Sequence, residues 1–183
     1  MQFKTLAIPG PVLIQPKMIG DERGFFMEAF KDGWFRENIA DIAFVQDNQS
    51  LSREAGTIRG LHYQAEPFAQ GKLVRCLKGA IFDVAVDIRP QSPNFGKWIG
   101  ETLTAARGEQ LWVPAGFAHG FCTLEPDTEV FYKVTCPYSA PHDSGIAFDD
   151  PDIGVNWPTD IATAVLSAKD RHQPALASLF GVT

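Results

Sequence analysis

Ile81-Phe82-Asp83-Val84-Ala85-Val86-Asp87-Ile88-Arg89 is the stretch that decides the fold. Phe82, Val84, Val86 and Ile88 fall on one face of an extended chain, and Asp83 and Asp87 fall on the other. A period of two residues is the mark of a β-strand. Similar runs occupy residues 24–30, 44–50, 72–77, 95–103, 109–113, 117–124 and 129–135. Turn-forming stretches such as Leu77-Lys78-Gly79, Arg89-Pro90-Gln91-Ser92-Pro93-Asn94 and Leu124-Glu125-Pro126-Asp127 separate many of them. Short strands at this spacing predict an all-β fold, a β-barrel or jelly roll. Helix is scarce. Residues 32–39 are expected to form a short helix capped by Asp32, and residues 167–179 a second one interrupted by Pro174.

The chain has 183 residues without a linker, repeat or low-complexity tract, which predicts one domain spanning 1–183. Its net charge is −6, so it lacks the broadly basic face that nucleic acid or an anionic membrane surface requires. An anionic ligand must then be met by a local group of cations. No apolar run approaches the roughly 20 residues that span a bilayer. No segment at the start reads as a secretory leader, so a cytoplasmic location is expected. Three cysteines, Cys76, Cys122 and Cys136, lie in strand-like apolar runs and are expected to be buried thiols.

Gly56-Thr57-Ile58-Arg59-Gly60-Leu61-His62-Tyr63-Gln64 and Gly71-Lys72-Leu73-Val74 read as two short strands carrying Arg59, His62 and Lys72. Several unpaired cations suit a packed core poorly but suit an anion-binding pocket well. Alternation places Ile58, Gly60, His62 and Gln64 on one side of their strand. Lys72, Val74 and Cys76 share a side of another, and Val130, Tyr132 and Val134 of a third. If these sides face a barrel interior, His62, Lys72 and Tyr132 converge on one cavity. His119 follows a Pro-x-Gly turn, Pro114-Ala115-Gly116, a device common in cupin jelly rolls. Many cupins bind metal through a His-x-His pair. Here Gln64 stands two residues after His62, which breaks the pair, and no metal site is expected.

Nine stretches carry a family resemblance when taken in order. They are Asp21-Glu22-Arg23-Gly24-Phe25-Phe26-Met27-Glu28, Gln46-Asp47-Asn48-Gln49-Ser50, Arg59-Gly60-Leu61-His62-Tyr63-Gln64, Lys72-Leu73-Val74 and Asp83-Val84-Ala85-Val86-Asp87. Gly116-Phe117-Ala118-His119-Gly120-Phe121, Tyr132-Lys133, Asp149-Asp150-Pro151 and Ser167-Ala168-Lys169-Asp170 complete the set. Along essentially its whole length the chain resembles the dTDP-4-dehydrorhamnose 3,5-epimerases, metal-free cupins. The resemblance implies a cupin-type jelly-roll β-barrel with a few short helices, acting on a dTDP-linked 4-keto-6-deoxyhexose without a cofactor. It also implies a homodimer in which the N-terminal segment reaches the partner's site.

By the same resemblance His62 is the general base oriented by Asp170, Tyr132 is the acid, and Lys72 is the cation beside the developing enolate. Arg23, Glu28, Gln46, Asn48, Arg59, His119, Tyr138, Asp143 and Lys169 fall at or near positions that bind nucleotide, diphosphate or sugar. Phe26 and Trp112 could each stack on thymine or pack, and packing is favoured for Trp112.

These residue types suit the implied chemistry. A ketone at carbon 4 acidifies the hydrogens on carbons 3 and 5, and epimerisation removes a proton from one face and returns one to the other. Histidine, with an ordinary pKa of about 6.5, is a suitable base, and tyrosine at about 10 stays protonated to donate. Other readings compete with this one. Arg23 and Arg59 could pair with Glu22 or Glu54 at the surface, Tyr132 could be a strand aromatic with its hydroxyl tied to a neighbour, and Asp170 a helix cap. Asp83 or Asp87 could support His62 or Lys72. At the level of function, the rivals are an epimerase acting on one carbon only or on another nucleotide 4-keto sugar, a sugar-binding cupin without catalysis, and a metal-dependent cupin oxygenase.

Overall fold

The computed structural model describes residues 1–181. Its strands are β1 (Gln2–Thr5), β2 (Val12–Gln15), β3 (Met18–Asp21), β4 (Gly24–Met27), β5 (Gln46–Ser52), β6 (Ile58–Gln64) and β7 (Lys72–Lys78). They continue with β8 (Ala80–Asp87), β9 (Trp98–Thr104), β10 (Gln110–Val113), β11 (Phe117–Thr123), β12 (Thr128–Val134) and β13 (Asp143–Gly145). One antiparallel sheet runs β1-β2-β10-β7-β12-β5, and a second runs β13-β6-β11-β8-β9. The hairpin β3–β4 pairs only with itself. The two large sheets pack face to face as a cupin-like jelly roll, as the strand spacing predicts. Among the described residues no helix is long and apolar enough to cross a membrane.

Three apolar clusters hold this arrangement. Val74, Leu111, Val113 and Val130 of the first sheet meet Ile81, Ala85, Leu103 and Phe121 of the second, filling one end of the sandwich. Each side chain fully buried in this way stabilises the fold by about 1.5–3 kcal/mol. A second cluster lies on the other face of the second sheet, where Ile58, Leu61, Val84, Val86 and Cys122 are covered by Ile146, Phe148, Trp157 and Leu176. The aliphatic face of β8 therefore packs outward under the C-terminal segment. Its Asp83 face points between the sheets, and both Asp83 and Asp87 are fully buried. Helix α1 (Asp32–Asn38) closes a third cluster, in which Trp112 packs edge-on against Phe35 at 5.3 Å. That fulfils the packing reading of Trp112.

Local chemistry explains where elements differ from the sequence reading. In α1 the N-cap is Lys31, not Asp32. Asp32 sits in the first turn and accepts a 2.8 Å bond from Arg36, an i,i+4 pair. The predicted helix over 167–179 is broken into a 3₁₀ turn, Asp170–His172, and the short helix α2 (Leu176–Phe180). Pro174 forces Gln173 to extended angles (φ −70°, ψ 144°), which a continuous helix could not contain. Cys76 and Cys122 are buried free thiols, whereas Cys136 lies just beyond β12 and is only half-buried. The alternating pattern missed β1, β2, β3 and β13, each of which has only three or four residues.

Candidate active site

Strand β6 does not alternate strictly. Against β11 its register steps from His119↔His62 to Phe121↔Arg59, so two residues of β6, Gly60 and Leu61, oppose one of β11, Gly120. This is a β-bulge. Gly60 makes it possible: its φ is +140°, and an added Cβ would lie 2.5 Å from the Gly120 Cα. The bulge overturns the expected parity of Arg59. Arg59 and His62 now face one cavity together, while Ile58 and Leu61 both pack in the outer cluster.

That cavity has a volume of about 760 Å³, of the size that holds a small organic ligand. His62, Lys72, Tyr132 and Asp170 all line it, as do Gln46, Asn48, Arg59, His119, Tyr138, Asp143 and Lys169. His62 and His119 come from the second sheet, whereas Lys72 and Tyr132 come from the facing strands β7 and β12 of the first. Two walls thus carry different functional groups across one space.

His62 Nε2 lies 2.5 Å from Asp170 Oδ1. With Nε2–H donated to the carboxylate, Nδ1 keeps its lone pair. Asp170 is buried, and its other oxygen accepts a 2.8 Å bond from the Ser167 hydroxyl. The Asp170 N–H returns a 3.1 Å bond to that hydroxyl. Burial alone would raise the Asp170 carboxyl, but the His62 and Ser167 bonds outweigh it and hold the group below the ordinary carboxylate value. The Ser-x-x-Asp spacing of a capping motif was available in the sequence as a pointer to Ser167, which that reading left without a role.

Lys72 is buried, and its ammonium donates one long bond of 3.3 Å, to the His62 carbonyl. Burial pulls its pKa down to about 8, while the charges of Asp143 and Asp83 partly resist this and Lys169 adds to it. An ammonium carries three donors, so Lys72 has capacity for a ligand oxygen. Tyr132 makes no side-chain hydrogen bond among the described residues, and burial pushes its phenol above the ordinary value. A hydroxyl tied to a neighbour, the competing reading of Tyr132, is not what the strand presents. His119 Nε2 lies 2.7 Å from Asp83 Oδ1, and burial keeps the His119 ring below its usual pKa. Asp87 binds Arg89 and Ser92, so of the two aspartates on β8 it is Asp83 that faces the cavity's cations.

At the outer rim, Tyr138 is 59% exposed and donates a 3.1 Å bond from its hydroxyl to Asp143, which also accepts a 2.5 Å bond from Lys169. Arg59 donates to Ser52 Oγ and to the Leu51 carbonyl, not to Glu54. Arg23, Phe26 and Glu28 lie apart from this cavity, on or beside the hairpin β3–β4. Arg23 pairs with Asp21 instead of Glu22, and Phe26 is 67% exposed. Gln64, where a metal-binding cupin would carry its second histidine, donates to the Phe68 and Pro137 carbonyls. Among the described residues no three His, Cys, Asp or Glu side chains form a metal-ligating group.

A family model described as dTDP-4-dehydrorhamnose 3,5-epimerase matches residues 5–178. The chain belongs to this family. A dTDP-4-dehydrorhamnose 3,5-epimerase of Sinorhizobium fredii is 59% identical to it over 98% of this chain and 91% of that one. The crystal structure of the dTDP-6-deoxy-D-glucose-3,5-epimerase from Legionella pneumophila, in complex with dTDP-4-keto-L-rhamnose, superposes with a TM-score of 0.90 at 43% identity. It covers 96% of this chain and 92% of the Legionella chain. ChmJ, a 3'-monoepimerase from Streptomyces bikiniensis solved with dTDP-quinovose, gives a TM-score of 0.89 at 34% identity, covering 96% of this chain and 89% of that one. This 3,5-epimerase family therefore shares its fold with an enzyme that inverts one carbon.

Proposed function

We propose that the chain acts over residues 1–183 as one dTDP-4-dehydrorhamnose 3,5-epimerase domain. It would invert carbons 3 and 5 of dTDP-4-keto-6-deoxy-D-glucose to give dTDP-4-keto-L-rhamnose. The observation that carries this reading is that His62 and Tyr132 line one cavity from opposite sheets. In the proposed reaction His62 Nδ1 takes the proton next to the ketone, and the C–H electron pair moves into an enolate. Asp170 keeps the ring in the required tautomer and stabilises the imidazolium. Lys72 holds the negative oxygen, and Tyr132, kept protonated by burial, returns a proton to the other face. The proton gained by His62 leaves to solvent and Tyr132 regains one from it, so both groups are reset after each inversion and no change of oxidation state occurs.

Arg23, Phe26 and Glu28 complete this reading only if another copy of the chain receives them. The hairpin exposes Ile19 at 57%, Phe25 at 59% and Phe26 at 67%, an apolar edge that a partner would cover. A homodimer exchanging hairpins would bring a further guanidinium and carboxylate to each cavity, in a cytoplasmic enzyme whose ligand is a nucleotide sugar. The test is a coupled assay with dTDP-4-keto-6-deoxyglucose, the next reductase and NADPH, with the product read by proton NMR. Both stereocentres should be inverted, and deuterium from heavy water should enter at two carbons. Exchange at one carbon alone would instead make this a mono-epimerase. No exchange at all would leave a sugar-binding protein.

A further inference from the structure

Residues Cys136–Ser139 carry Tyr138 to the cavity rim, and they belong to neither sheet. Their main-chain groups are held by glutamine side chains from three different places in the chain. Gln70 donates to the Cys136 carbonyl at 2.6 Å, and Gln64 donates to the Pro137 carbonyl at 3.1 Å. The Tyr138 N–H donates to Gln46 Oε1 at 3.2 Å, and the Ser139 N–H to Gln64 Oε1 at 2.7 Å. Four successive residues are thus each gripped once. Gln64 is buried at the end of β6 and also donates to the Phe68 carbonyl at 2.7 Å, tying the preceding loop to the same point.

We propose that Gln46, Gln64 and Gln70 act as a clamp that aims the Tyr138 ring at the nucleotide end of the ligand, so that Gln64 and Gln70 are positioning residues for affinity. A primary amide suits this task because it donates and accepts from one planar group, matching a carbonyl and an N–H two residues apart. A carboxylate of the same shape cannot donate, and it would place a charge against the Phe68 and Pro137 carbonyls. The side chain that removes the cupin His-x-His pair thereby acquires a role in ligand affinity. The proposal rests on the proposed function: with the sugar held at His62, Lys72 and Tyr132 inside the cavity, its nucleotide lies toward the rim, where Tyr138 stands 59% exposed.

The test measures dTDP binding by calorimetry and steady-state kinetics on the full chain. Gln64→Glu should weaken dTDP binding and raise KM about tenfold, while kcat changes less than about threefold. Tyr138→Ala should weaken dTDP binding by a similar factor, about tenfold. The double variant should bind no more weakly than Tyr138→Ala alone, because the clamp acts through the ring. If Tyr138→Ala binds dTDP normally, the ring does not meet the nucleotide and the proposal falls with that reading. If Tyr138→Ala weakens binding but Gln64→Glu does not, or if the two losses multiply, the reading stands and the clamp is refuted. Should Gln64→Glu fail to fold, Gln70→Met at its half-buried position carries the same comparison, with an expected loss of about threefold.

Discussion

Two histidine–aspartate pairs stand side by side across β6 and β11, joined through the same atoms but differing in the exposure of the ring and in how the carboxylate is held. His62 and His119 are directly opposed in the strand register. The His62 side chain is 29% exposed and its Asp170 partner has both oxygens hydrogen-bonded. The His119 side chain is 8% exposed, and Asp83 Oδ2 is the one buried side-chain polar atom without a partner among the described residues. Burial lowers the pKa of His119, so its ring stays neutral. The comparison teaches that a histidine beside a carboxylate is not by itself a base. In the proposed reaction the exposed pair moves protons. The buried pair fixes a neutral ring and places a negative charge near Lys72.

The largest expected effect comes from removing the exposed ring. His62→Ala should lower kcat by about 1,000-fold, measured by deuterium exchange at saturating substrate. Full turnover in that variant would end the assignment of the base. Lys72→Ala should cost about 100- to 1,000-fold. The ammonium stabilises an enolate only when protonated, and burial draws its pKa in the ligand-free protein down to about 8, so wild-type kcat/KM should fall as pH rises through that value. Asp170→Asn, which keeps the volume but loses the charge, should cost about 100-fold in kcat.

Asp83→Asn gives the sharpest contrast with Asp170→Asn. The Asp83 charge raises the Lys72 pKa, so its removal should move the basic limb of the pH profile to lower pH. At neutral pH the variant should retain more of its kcat than Asp170→Asn does. Equal losses from the two variants, with no movement of the limb, would erase the distinction drawn between the pairs.

The smallest effect is on stability. His119 is held below its ordinary pKa in the fold, so below pH of about 6.5 the unfolded chain binds a proton that the native state resists. Stability should therefore decline as pH drops from that value, and His119→Gln should flatten the decline in Tm.

Much of this arrangement was legible in the residues. The long strands around β8 lie within a few residues of their predicted places because alternating apolar side chains pay for strand formation wherever one face is buried. The convergence of His62, Lys72 and Tyr132 followed from that alternation. Arg59 did not: its face depends on an irregularity in β6 that only the pairing with β11 reveals. Ser167 escaped attention because its hydroxyl acts on Asp170, not on a ligand. The short strands β1, β2, β3 and β13 carry too few residues for a period to register, and they exist through their neighbours. Arg23, Phe26 and Glu28 lie on or beside the hairpin β3–β4, apart from the cavity, so within one chain they do not meet the expectation that they bind the ligand.

The irregularity in β6 has a consequence for how this protein can change. A strand normally sorts its side chains between two sides like beads of alternating colour, and one additional bead reverses the order for everything on the far side of it. Were β6 to pair residue for residue without the bulge at Gly60, Ile58 would turn toward the ligand chamber and Arg59 into the oily layer beneath the C-terminal segment. Lineages that lose the bulge while keeping the length of the strand would have to abandon the chamber or the layer. A side chain at Gly60, however small, would meet the Gly120 backbone and force that choice on the whole strand.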